Sequence, residues 1–356
     1  MMTAISQTKT ILITGACGWL GKNFTRAVTE RSINLDLLRQ VSRSMRIRCL
    51  ILPNEDPSGL RVLSSEIEVV RGDIRNAADC ATFCEGAKGA VLFHTAGLIH
   101  PRRVQDLYAV NVGGTENLLS AAIAAGVRRA VVVSSNSPVG WNPHPQHSFD
   151  ESSPYSPYMN YGRSKMQMEL QIKQLEAAGK IETVIVRPPW FYGPNQPSRQ
   201  VLFFSMIRSG KVPIVGSGNN LRSMVYTDNL CAGLVLAGFV EKARGEIYWI
   251  ADRRPYSMNE IVDTVERLLE QEFKLTVAHK RVRLPDFASE VAMLADATLQ
   301  WLGLYNQKIH VLSEMNKTIA CSITKAEKEL GYQPKIALEE GMRRSLAWCI
   351  EQGIRI

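Results

Sequence analysis

The chain has 356 residues, 45% hydrophobic and 21% charged, with a formal net charge of +8, which suits one large α/β unit or a large domain carrying a smaller one. It has no run of 18 apolar residues, no signal-peptide pattern over residues 1–10 and no dense basic run with interleaved aromatics, so a membrane span, export and nucleic-acid binding are not expected. Cysteines at 17, 49, 80, 84, 231, 321 and 349 without a Cys-x-x-Cys pair, and histidines without ligand spacing, read as reduced core thiols in a cytoplasmic protein with no metal site.

The first element is the apolar strand Ile11–Ile13, followed by Gly15, Gly18 and Gly21 and a helix-compatible segment from Lys22 to Arg31. Strand, tight glycine turn and helix together leave backbone N–H groups open at a helix N-terminus, where a pyrophosphate can approach. A second strand, Ile47–Leu52, ends where a dinucleotide fold reads the adenosine ribose. Leu52 and Pro53 stand at that point and Glu55 and Asp56 follow, which favours NAD over NADP while keeping NADP open.

A third strand, Glu66–Arg71, runs into Gly72-Asp73-Ile74, and a fourth, Ala90–Phe93, into His94-Thr95-Ala96-Gly97. Asn111 lies on the next helix, and a fifth strand, Arg129–Val133, closes on Ser134-Ser135-Asn136-Ser137. Strands alternating with helices predict a doubly wound parallel sheet of the Rossmann kind, with ligands at the carboxyl ends of the strands. Tyr161 and Lys165, four residues apart, share one face of a helix running to about Ala177.

A sixth strand, Glu182–Val186, leads into Arg187-Pro188-Pro189-Trp190-Phe191-Tyr192-Gly193-Pro194, whose prolines impose a fixed non-helical path. Further on, 200–209, 229–240 and 257–271 read as helices and 211–214, 223–226 and 246–250 as strands. Residues 285–305 form an apolar helical stretch that includes Phe287, Val291, Leu294, Leu299, Trp301 and Leu302. It is expected to pack within a smaller domain, the other uses being a lipophilic pocket wall or a membrane-surface helix.

The series Thr14-Gly15-x-x-Gly18-x-x-Gly21, Gly72-Asp73-Ile74, His94-Thr95-Ala96-Gly97, Asn111, Tyr161-x-x-x-Lys165, Arg187-Pro188-Pro189, Val225-Tyr226-Thr227-Asp228-Asn229 and Glu329-Leu330-Gly331-Tyr332-Gln333-Pro334 runs along nearly the whole chain. It resembles the extended short-chain dehydrogenase/reductase superfamily of NAD-dependent epimerase/dehydratase type, and within it most closely the 3β-hydroxysteroid dehydrogenase branch. The resemblance implies a dinucleotide-binding domain over 1–187, to which 224–252 and 319–330 return. The smaller α/β substrate domain takes 188–223, 253–318 and 331–356.

It implies Gly15, Gly18, Trp19, Leu20 and Gly21 at the pyrophosphate, Asp73 and Ile74 at the adenine, and Ala96, Gly97, Asn111 and Pro189 elsewhere along the cofactor. Tyr161 becomes the acid/base and Lys165 its cofactor-anchoring partner. A free phenol with a pKa of about 10 is a poor base at neutral pH, and a nearby ammonium lowers that value. Asn136 stands where the family pattern has Ser or Thr, so Ser135 and Asn136 are both candidates to hold the substrate oxygen, with Ser137 beside them. Trp141, Trp190 and Phe204 suggest an apolar substrate wall, and Arg222 occupies the setting of a diphosphate-binding arginine.

The expected function is an NAD(P)-dependent oxidoreductase interconverting a secondary alcohol and a ketone on an apolar or cyclic small molecule. The alternatives are a nucleotide-sugar 4-epimerase or dehydratase and a non-catalytic dinucleotide-sensing protein. A homodimer joined through the helices bearing Asn111 and Tyr161 is also implied by the resemblance.

Overall fold

Strands that are apolar on both faces require cover on both faces, and this requirement organises the molecule. The computed structural model describes residues 8–33, Leu38 and 45–356. In it β1 (Thr10–Thr14), β2 (Arg46–Ile51), β3 (Glu68–Arg71), β4 (Val91–His94), β5 (Arg129–Val133) and β6 (Glu182–Arg187) join a late strand, Ile247–Trp249, in one parallel sheet. The order across it is Ile247–Trp249, β6, β5, β4, β1, β2, β3. Connections from β1 run outward in both directions, which opens a crevice at the carboxyl ends of β1 and β4, the expected seat of a dinucleotide.

One face of the sheet packs on the Trp19–Glu30 and Thr227–Phe239 helices through Phe24, Phe93, Leu230 and Leu234. The other packs on Ala77–Cys84, Thr115–Ala124 and Met159–Ala177 through Phe83, Leu118, Met168 and Ile172. A third core lies off the sheet, among the helices Ser198–Arg208, Met258–Arg267 and Leu338–Glu351. The short strand Trp190–Tyr192, which carries the proline-rich path onward, pairs in parallel with Met224–Tyr226. Six of the seven cysteines are buried and all seven are free thiols.

Most predicted strands and helices form within a residue or two of their expected bounds. Two features depart from expectation. Residues Ala109–Gly114 form a widened helical turn between Val104–Tyr108 and Thr115–Ala124, and an apolar period of 3.6 carries no mark of such a turn. The Phe287–Trp301 helix forms, but its large apolar side chains are not packed inside: Phe287, Val291, Leu294 and Trp301 are all exposed.

Candidate active site

β1 hands the chain to Gly15 at a left-handed backbone angle, φ 71°, and a Cβ there would sit 2.7 Å from the Ala96 nitrogen. A Cβ on Gly21 would overlap the Gly15 carbonyl oxygen, so the third glycine lets the helix close on the strand. The Trp19–Glu30 helix starts at Gly18 with no side-chain cap and no acidic residue in its first turn. Its leading N–H groups and positive end are therefore available to an anion, and the cradle fits the pyrophosphate of NAD.

Trp19 and Leu20 face away from that mouth. The Trp19 indole N–H donates to the Pro194 carbonyl at 2.8 Å and the ring lies against Phe191, with centroids 4.6 Å apart, while Leu20 is buried in the core. Only their main-chain groups are left for a phosphate. The Asp73 carboxylate is engaged by the Arg75 guanidinium and by its N–H at 2.9 Å, which hold it below the usual carboxylate range. Ile74 packs under Gly114. The acids expected at the ribose are used locally: Glu55 accepts from Leu52 N–H at 2.8 Å and Asp56 from Ser58 N–H at 2.9 Å.

Asn111, expected to reach the cofactor, is buried and fully committed to protein. Its amide oxygen accepts from Leu98 N–H at 2.8 Å, and its NH2 donates to the Leu98 carbonyl at 2.9 Å and to Ser164 Oγ at 3.1 Å. It ties the segment after Gly97 to the Tyr161 helix. Beneath lies buried His94, with Nδ1 at 2.7 Å from Thr14 Oγ1 and Nε2 at 3.0 Å from Thr115 Oγ1; burial brings its pKa to about 3.

The Met159–Ala177 helix places Tyr161, Lys165 and Glu169 on one face, one turn apart. Lys165 Nζ donates to the Val133 carbonyl at 3.0 Å, and a Cβ on Gly97 would lie 3.3 Å from it. Burial lowers Lys165 to about 8, against an opposing pull from Glu169. Glu169 is fully buried and accepts from Ser134 Oγ at 2.5 Å, Tyr155 OH at 2.8 Å, and Arg187 Nε and Nη2 at 3.0 and 2.6 Å. It fixes the far side of the lysine turn. Its i+4 spacing from Lys165 was the signal available in the sequence.

Tyr161 is buried, and burial pushes its phenol up to about 12. The nearby Ser135 hydroxyl and then the positive charge of Arg199 work against that rise. Burial is the largest influence on the phenol, and one N–H of the Lys165 ammonium is engaged by the Val133 carbonyl. Of Ser135 and Asn136, only the Ser135 hydroxyl bears on the ionisation of the phenol. The Ser135 hydroxyl in addition lies 3.4 Å from Asn136 Oδ1 and 3.3 Å from Ser137 Oγ.

On the substrate side, Trp141 meets the edge of Tyr158 with centroids 5.0 Å apart, and the Trp190 indole N–H donates to Gln200 Oε1 at 3.3 Å. Pro189 is buried directly after β6. Phe204, expected on the substrate wall, is fully buried in the third core beside Ile207 and Val262 and packs the fold. Arg222 is half-buried, its guanidinium 3.8 Å from Glu314, with Nε unpaired.

The comparisons with known proteins agree with this geometry. The family described as NAD dependent epimerase/dehydratase matches residues 11–251. The uncharacterized protein y4nL of Sinorhizobium fredii is 55% identical over 344 residues, 96% of each chain. The 3beta-hydroxysteroid-dehydrogenase/decarboxylase isoform 1 of Arabidopsis thaliana is 28% identical over 94% of this chain and 78% of its own. Among solved structures, the dTDP-glucose 4,6-dehydratase DesIV of Streptomyces venezuelae, with NAD and TYD bound, superposes with a TM-score of 0.73 at 25% identity, covering 96% of this chain and 97% of that one. With an open glycine cradle at β1 and a Tyr/Lys face at β5, the chain belongs to the NAD-dependent epimerase/dehydratase family of extended short-chain dehydrogenases/reductases and is an NAD-dependent enzyme.

Proposed function

We propose that this enzyme interconverts a secondary alcohol and a ketone on an apolar or cyclic small molecule. NAD, when bound, accepts or returns the hydride. The reading rests on one observation above others: the Met159–Ala177 helix sets Tyr161 one turn from Lys165, whose Nζ reaches the Val133 carbonyl at the end of β5 at 3.0 Å. Tyr161 Oη takes the carbinol proton in oxidation and gives it back to the ketone oxygen in reduction. Ser135 donates its one O–H to that oxygen, stabilising charge where it develops. The glycine turn holds the pyrophosphate, and Lys165 anchors the ribose and keeps a positive charge in the crevice.

Support for an apolar substrate comes from the hydroxysteroid named for the Arabidopsis relative and from Glu314, whose carboxylate faces Arg222 where a diphosphate would need an unopposed cation. The test is to supply NAD with a panel of apolar secondary alcohols, and NADH with cyclic ketones. A net change in NADH absorbance that Tyr161→Phe abolishes is the expected result. No change with any of them would remove the reading. A homodimer joined through the helices bearing Asn111 and Tyr161 belongs to the same proposal, and light scattering tests it.

One observation favours the second reading, a nucleotide-sugar 4-epimerase or dehydratase: the Arg222 Nε is shielded and lacks a partner, and the ion pair with Glu314 is long. Such an enzyme would purify with NAD bound and convert a nucleotide sugar with none added.

A further inference from the structure

The Phe287–Trp301 helix is amphipathic the wrong way round for a helix that only packs. At about 100° per residue, Phe287, Val291, Leu294, Thr298, Trp301 and the following Leu302 fall within an arc of about 100°. This is the face turned to solvent, with Phe287 66%, Val291 59%, Leu294 68% and Trp301 84% exposed. The opposite face, turned inward, carries Ser289, Asp296 and Gln300. Those polar groups are satisfied: Asp296 accepts from His310 Nδ1 at 2.7 Å, and Gln300 Oε1 accepts from Asn160 N–H and Nδ2 at 3.0 Å each. The helix is thus bolted by hydrogen bonds to the start of the Tyr161 helix, with its apolar stripe outward.

Around this stripe the charge is predominantly positive, the carboxylate of Asp286 just before Phe287 being the exception without an ion pair to a described residue. Arg283 lies just before the helix, Lys308 just after it, and Arg103 pairs through its backbone with Leu304 at the C-terminal end, with Arg102 beside it. All four are exposed and none forms an ion pair with a described residue. Glu290, at the edge of the stripe, is neutralised by Lys317. A second copy laid on this face would bring two cationic rims together, whereas an anionic bilayer surface offers both an apolar interior and the opposite charge.

We infer that the 287–304 face docks the enzyme on an anionic lipid surface, with the Phe287, Leu294 and Trp301 side chains entering the headgroup boundary and the Arg102, Arg103, Arg283 and Lys308 rim on the phosphates. No membrane crossing is involved, and among the described residues no helix is long and apolar enough for one. The inference goes beyond the proposed chemistry and stands whichever substrate is turned over. The Gln300–Asn160 contacts join this helix to the start of the Tyr161 helix, so docking brings the proposed site near the interface.

The test is sedimentation of the full chain with vesicles of phosphatidylcholine alone and of phosphatidylcholine mixed with phosphatidylglycerol. Binding is expected only to the mixed vesicles and should weaken with salt. Both Leu294→Ser/Trp301→Ser and Arg103→Glu/Lys308→Glu should weaken it by about tenfold or more. Because these side chains are exposed, the thermal midpoint and NAD binding should stay unchanged, which separates this failure from loss of the fold or of the active site. The emission lost in Trp301→Phe should be the component that shifts blue on vesicles. Absence of binding to mixed vesicles overturns the inference, as does binding that neither double variant weakens. So does an oligomer that Leu294→Ser/Trp301→Ser dissociates while vesicle binding is missing.

Discussion

The crevice at β1 and the cover over Tyr161 are built by opposite means. In the crevice the backbone decides: Gly15 adopts a left-handed angle, Gly21 leaves room for the Gly15 carbonyl, and the helix that follows is left uncapped. In the cover, side chains decide: Asp296, His310 and Gln300 form a buried polar cluster, Tyr158 OH meets Ser313 Oγ, and Arg222 faces Glu314. Backbone devices accept few substitutes, so they bind what the whole family binds. Side-chain networks can be rebuilt around new ligands, and specificity resides there.

That contrast can be broken at several points, beginning with the largest effect. Gly21→Ala would put a methyl group into the Gly15 carbonyl; the expected outcome is protein that neither binds NAD nor melts cooperatively, read by calorimetry. Glu169→Ala leaves the buried Arg187 guanidinium without its carboxylate and should cost about 3–5 kcal/mol, seen as a lowered denaturation midpoint. Ser135→Ala should lower turnover by about a hundredfold and Asn136→Ala by less than about tenfold, with midpoints unchanged. The reverse order would assign the substrate oxygen to Asn136.

The effect that vanishes at neutral pH and grows only in acid belongs to His94. His94 takes a proton near pH 6.5 when unfolded but only near 3 when folded, because burial disfavours the imidazolium. Its contribution to stability is therefore whole above pH 6.5 and is lost as the pH falls toward 3. Wild-type stability should decline over that window with a slope of up to about 1.4 kcal/mol per pH unit from this residue. His94→Gln, measured by urea denaturation at stepped pH, should flatten the decline.

The same contrast explains what could be read from the sequence. Glycine spacing after an apolar strand is a local constraint, so the β1 turn was visible, as was the Tyr161/Lys165 pair from helical period alone. Glu169 lay in the same period, but its partners Ser134, Tyr155 and Arg187 come from three separate segments, and only the folded chain brings them together. Asn111 illustrates the limit of a motif: the position was found, but its amide turns to Leu98 and Ser164. Phe204 and the 287–301 helix illustrate the limit of apolarity. Hydrophobic pattern marks a face without saying whether it turns inward, and here one went to the core and the other to the surface.

The central claim is that Tyr161, paired with Ser135, moves the proton while a separate backbone cradle holds the dinucleotide. Following deuterium from 4-deuterated NADH into a cyclic ketone by mass spectrometry, alongside NAD affinity by calorimetry, addresses both halves at once. Tyr161→Phe should bind NAD within about twofold of wild type yet transfer deuterium at least about a hundredfold more slowly. Transfer at the wild-type rate by Tyr161→Phe would contradict the account.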